Sequence, residues 1–100
     1  MIVEYLRYSI PQDRQAAFVR DYDAALAELM KSPYALGFDL CQCVEDKAEF
    51  IPRIEWSSAE DYLQGFRKGP EFRAFFAHIQ PYLPMIGEMR HYDRLSRSGP

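Results

Sequence analysis

The sequence predicts a small α+β domain in which a four-stranded antiparallel sheet carries two helices on one face. Three observations predict it. Four short runs are rich in β-branched and aromatic residues, two longer stretches carry apolar residues at helical spacing, and their order is strand, helix, strand, strand, helix, strand. One hundred residues hold one core and no second domain.

Residues 2–9 (Ile-Val-Glu-Tyr-Leu-Arg-Tyr-Ser) read as the first strand. Pro11 suits the first turn of a helix, where a missing N–H costs nothing. From Pro11 to about Lys31, residues Ala17, Phe18, Tyr22, Ala25, Leu26, Leu29 and Met30 recur at helical spacing, and Ser32-Pro33 ends the run. A helix of that length spans roughly 30 Å, enough to cross a sheet. The second strand covers roughly Ala35–Glu45 and the third Glu49–Ser57, with Pro52 predicting a local break in the ladder. Ser57-Ser58-Ala59-Glu60-Asp61 offers a capping box, Ser57 with Glu60 or Ser58 with Asp61, at the head of a short helix. Gly69-Pro70 interrupts that helix, and a longer one resumes with Phe72, Phe75, Phe76, Ile79 and Leu83 as its apolar stripe. A last strand, about Glu88–Leu95, completes a ferredoxin-like βαββαβ order. Residues 1–95 form the predicted domain, and 96–100 read as a flexible tail or a truncated linker.

Strand parity sorts the sheet into two faces. Leu6, Tyr8, Leu36, Phe38, Leu40, Phe50, Ile54 and Trp56 suit packing against the helices. Val3, Tyr5, Arg7, Asp39, Cys41, Cys43, Ile51, Arg53 and Glu55 fall on the other side, where apolar groups mix with opposite charges. A solvent face shows plain polar alternation, so this mixture predicts a half-covered surface and a homodimer.

Aromatic residues make up 15% of the chain, more than a minimal core needs, which points to a pocket for a flat ligand or a large self-interface. A net charge of −3 without a basic run argues against nucleic acid. No signal-peptide pattern and no apolar run of ~20 residues is visible, so the expected setting is cytoplasmic and away from the membrane. Cys41 and Cys43, two apart on a strand, are expected as reduced thiols. With Asp39 they give poor tetrahedral geometry, and no metal site is expected.

The stretch Ile54-Glu55-Trp56-Ser57-Ser58-Ala59-Glu60-Asp61-Tyr62, followed by Gly69-Pro70-Glu71-Phe72-Arg73-Ala74-Phe75-Phe76, resembles the antibiotic biosynthesis monooxygenase family, as does Ser32–Leu40. The resemblance implies a dimeric α/β barrel with a pocket between sheet and helices in each protomer. It also implies activities that range from cofactor-free oxidation of phenols and quinols to oxidative haem breakdown. Both kinds of member, as the resemblance implies, rely on a pocket Asn, and this chain has none. The haem degraders also use a His four residues after a Phe, where Phe76 stands here after Phe72. Haem breakdown by that route is therefore not expected, and quinol oxidation needs another donor in place of Asn.

Oxidation of a phenolic or quinol-type aromatic with O₂ and no cofactor requires an apolar pocket, a base and a group that stabilises the anion. By residue type His78 is the expected base, flanked by Phe75 and Tyr82 on one helix edge. Arg90 is the expected anion stabiliser, and Trp56, Tyr62 and Phe72 the expected walls. Each has a plainer reading: a satisfied histidine, a core tryptophan, a basic surface shared by Arg90 with Arg94 and Arg97. His91 is expected to face away from Arg90, at a dimer surface. Two other functions fit the same scaffold: a non-catalytic domain that binds an aromatic or haem-like ligand, and an isomerase or decarboxylase.

Overall fold

In a computed structural model, residues 1–97 are described, and residues 98–100 of the expected tail lie outside the described part. Alternation places Ile2, Leu6 and Tyr8 of strand β1 (Ile2–Ser9) under the helices, while Tyr5 and Arg7 point away. Strand β1 pairs antiparallel with both β3 (Glu49–Trp56) and β4 (Ile86–Asp93), and β2 (Ala35–Gln42) pairs with β3. The resulting order, β2-β3-β1-β4, is the predicted ferredoxin-like sheet. Helices α1 (Gln15–Leu29) and α2 (Pro70–Ile79) share its inner face. Among the described residues, no helix is long and apolar enough to cross a membrane.

The core is aromatic. Phe18 of α1 is its hub, with ring centroids 5.0 Å from Tyr8, 5.1 Å from Phe50 and 5.1 Å from Tyr82. Each fully buried side chain of this size contributes on the order of 2–3 kcal/mol by leaving water.

Three local departures from sequence expectation have simple causes. The first helix does not begin as an α-helix at Pro11: a 3₁₀ turn, Gln12–Arg14, precedes α1, closed by the Arg14 N–H donating to the Pro11 carbonyl. Leu36, expected inside, is exposed. The β2–β3 register shifts between Ala35 and Gly37, and the extra residue turns Leu36 outward while Ala35 packs on the core. Strand β2 ends at Gln42 rather than near Glu45: past the closing Cys43 N–H to Glu49 carbonyl bond the chain turns, with Asp46 accepting from the Ala48 and Glu49 N–H groups. Pro52 has the predicted consequence: the pairs that would oppose Leu6 and Arg7 are missing from the β1–β3 ladder.

Candidate functional site

Between the inner face of the sheet and α2 lies a cavity of about 140 Å³. Leu6, Ile54 and Trp56 form its floor, and Phe72, Phe75 and Phe76 its roof. One end is closed by a π-helical turn, Asp61–Phe66, held by the Arg67 N–H donating to the Tyr62 carbonyl. Ser58 caps its entry, its Oγ accepting the Asp61 N–H at 3.0 Å. This turn lays two rings on Trp56, Tyr62 at 5.0 Å and Phe66 at 4.6 Å.

The walls are mostly apolar, and their charged groups are Glu4 and Arg67. Glu4 on β1 faces the cavity and is only 4% exposed. Its Oε1 accepts the Trp56 indole N–H at 2.8 Å, and its Oε2 stands 3.5 Å from His91 Nε2 on β4. The register explains the meeting, since Glu4 pairs with Ile54 on one side and His91 on the other. The His91 ring lies 4.8 Å from that of Tyr62. Burial raises the Tyr62 hydroxyl above its ordinary pKa, and the nearby Glu4 carboxylate adds to the rise. Arg67, donating to that hydroxyl at 3.3 Å, opposes it. The Arg67 guanidinium also covers the Phe72 ring at 4.7 Å. The arrangement can hold a flat apolar ring and present a carboxylate to a hydroxyl on it.

Of the residues singled out in the sequence, Trp56, Tyr62, Phe72 and Phe75 line this cavity together. His78, Tyr82 and Arg90 are not among its lining residues. His78 sits on the side of α2 that meets α1, near Asp21. Tyr82 donates its hydroxyl to Asp21 at 2.5 Å; this bond is the first cause that holds the Asp21 carboxyl below its ordinary pKa, with Arg20 and then His78 adding to it. Arg90 pairs with Tyr5 across the sheet, which puts it on the outer face beside Glu88 at 3.5 Å. His91 has the opposite parity to Arg90 and stands against Glu4.

Glu4, Phe66, Arg67 and His91 are functional candidates that sequence reasoning missed. For Glu4 a signal existed: it shares parity with Ile2, Leu6 and Tyr8, so a carboxylate stands where the pattern demands an apolar group. Among the described residues, no group of three His, Cys, Asp or Glu gathers to hold a metal ion.

The fold recurs in solved structures of low identity. SnoaB, a cofactor-independent oxygenase from Streptomyces nogalater crystallised in mutant form, is similar at a TM-score of 0.78 and 11% identity, over 96% of this chain and 94% of that one. Rv0793 from Mycobacterium tuberculosis gives 0.76 and 15%, over 98% of each chain. A conserved protein from Methanosarcina mazei gives 0.75 and 16%, over 91% of this chain and 89% of that one. At these identities the likeness carries the fold alone. No curated protein is significantly similar to the chain. The family model for antibiotic biosynthesis monooxygenase matches residues 1–78, from β1 through the aromatic walls of the cavity to most of α2. On that match the chain belongs to the antibiotic biosynthesis monooxygenase family.

Proposed function

We propose that the protein is a cofactor-free monooxygenase that oxidises a phenolic or quinol-type aromatic with O₂, working as a homodimer. The observation that carries this reading is the aromatic-walled cavity with a single carboxylate inside it. Deprotonation makes a phenol electron-rich enough to give an electron to O₂, and apolar walls keep water from the radical pair. Trp56, Tyr62, Phe72 and Phe75 are the proposed substrate walls. The base and anion-binding roles expected of His78 and Arg90 pass, in this reading, to groups at the cavity, since neither residue lines it.

The test is oxygen consumption by the metal-free protein with simple phenols and hydroquinones, naphthohydroquinones and dihydroxyanthracenes. Uptake at least about tenfold above the autoxidation blank is expected, and it should persist in His78→Ala and Arg90→Ala. Loss of uptake in His78→Ala alone would return the base to α2. The absence of Asn from the chain favours a second reading, a domain that binds an aromatic ligand without turnover. No uptake with any substrate would select it.

A further inference from the structure

We infer that Glu4 is the base of this site, that His91 is its positioning partner, and that the substrate is a single-ring phenol with a free para carbon. The inference rests on the oxygenase reading above and deepens it.

Glu4 is costly where it stands. A carboxylate removed from water loses several kcal/mol of hydration unless charge and hydrogen bonds replace it. Here the replacements are one indole N–H at 2.8 Å and an imidazole at 3.5 Å. A carboxylate accepts about four hydrogen bonds, so capacity remains on the cavity side for a substrate hydroxyl. A well-packed apolar residue at this position would stabilise the core at least as well, which makes the retained charge a mark of use.

His91 links that carboxylate to the exterior. Its side chain is 30% exposed. It lines a separate open groove of about 310 Å³ with Ile2, Leu63 and Tyr92, and Tyr62 forms the partition between groove and cavity. The Glu4–His91 pair therefore spans from the cavity between sheet and helices to the groove on its far side.

Size sets the substrate class. A dry apolar cavity of roughly 150 Å³ takes one benzene ring. At about 140 Å³ this cavity suits one substituted ring, and three fused rings would have to displace the Phe72–Phe76 roof.

The reaction balances with O₂ as co-reactant. Glu4 takes the phenolic proton, which His91 shares across the 3.5 Å contact. The phenolate passes one electron to O₂, and the aryloxyl radical and superoxide join at the para carbon to form a C–O bond. The held proton returns to the peroxide anion. The para C–H then loses its proton as the O–O bond breaks and hydroxide leaves. One oxygen atom ends in the quinone and the other in water, so phenol plus O₂ gives quinone plus water.

Trp56 is the only tryptophan and lies in the cavity wall, so its fluorescence reports occupancy without turnover. Anaerobic titration should show saturable quenching by guaiacol and none by anthrone. In air, guaiacol should consume O₂ one-for-one with quinone formed. Glu4→Gln should bind guaiacol within about threefold of wild type while uptake falls about 100-fold. His91→Ala should lose about tenfold in uptake and recover at least half of it when imidazole is added, which a structural role would not produce. Undiminished uptake in Glu4→Gln, or no rescue by imidazole, overturns the base and its partner. Anthrone binding as tightly as guaiacol overturns the single-ring class. Quenching by guaiacol with no uptake in any protein overturns the oxygenase reading and the base with it, while supporting the single-ring fit.

Discussion

Two tyrosine hydroxyls, those of Tyr8 and Tyr22, are buried in the core. Tyr8 and Tyr22 are fully buried, and their hydroxyl oxygens neighbour one another without a hydrogen bond of good geometry. Burial pushes the Tyr8 phenol up to about 12, with the Glu4 carboxylate adding to the rise. Burial likewise raises Tyr22. In the unfolded chain a tyrosine ionises near pH 10. A folded pKa above the unfolded one means stability that is fully present below about pH 10 and lost as pH rises toward about 12. Denaturation midpoints should fall across that window, and they should fall less in Tyr8→Phe. An equal fall in both proteins would show that the Tyr8 hydroxyl is not buried as described. The residue scale is also where the sequence was least legible. Phe18, Tyr22 and Trp56 could be read as core from periodicity, but nothing local distinguishes a tyrosine that bonds Asp21, as Tyr82 does, from one left unpartnered.

At the scale of elements, the π-helical turn is the unusual piece, and such turns concentrate at functional sites. Its position depends on Gly65. A Cβ there would run into the Tyr34 ring, which packs between this turn and the entry to β2. Gly65→Ala should destabilise the fold by about 1–3 kcal/mol in chemical denaturation, since the ring has core neighbours on its other side. Adding Tyr34→Leu should recover part of that loss, and a double variant no better than the single would place the strain elsewhere. The sequence marked the Ser57–Asp61 cap and the Gly69-Pro70 break, so the ends of this segment were legible. Its π character was not, because an i to i−5 bond reflects packing on Trp56 rather than any local propensity. The Leu36 bulge was hidden for the same reason: it exists only relative to the β3 register.

For the molecule as a whole, the outer face of the sheet is the surface on which assembly would act. Tyr5 and Tyr92 are exposed and meet edge-on at 5.6 Å. Beside them Arg53 bridges Asp39 at 3.1 Å and Glu55 at 2.9 Å, and Arg94 reaches Glu55 at 3.3 Å. Hydrogen bonding from Arg94 and then Arg53 holds the Glu55 carboxyl below its ordinary pKa against the opposing effect of burial. Arg7, on the same face, lies 3.9 Å from Glu49. Within one chain these charges are already satisfied, so a second copy would meet the apolar rings between neutralised pairs. Sedimentation at micromolar concentration should give twice the chain mass, and Tyr5→Glu should shift it toward the mass of one chain. A wild-type monomer would sink the homodimer.

Strand parity, helical spacing and the turn residues by themselves determined the order of elements, the aromatic core and the two faces of the sheet. These are local properties, carried by side-chain directions that repeat every two or 3.6 residues. Only the tertiary structure decided which inward groups share a cavity. Glu4, Trp56 and His91 come from three strands, and their meeting depends on registers set by the whole sheet. Whether His78 faces the cavity depends on how α2 is rotated as it docks against α1 and the sheet. That rotation is settled by the packing of Phe75 and Ile79 into the core, an energy no segment of the sequence holds alone.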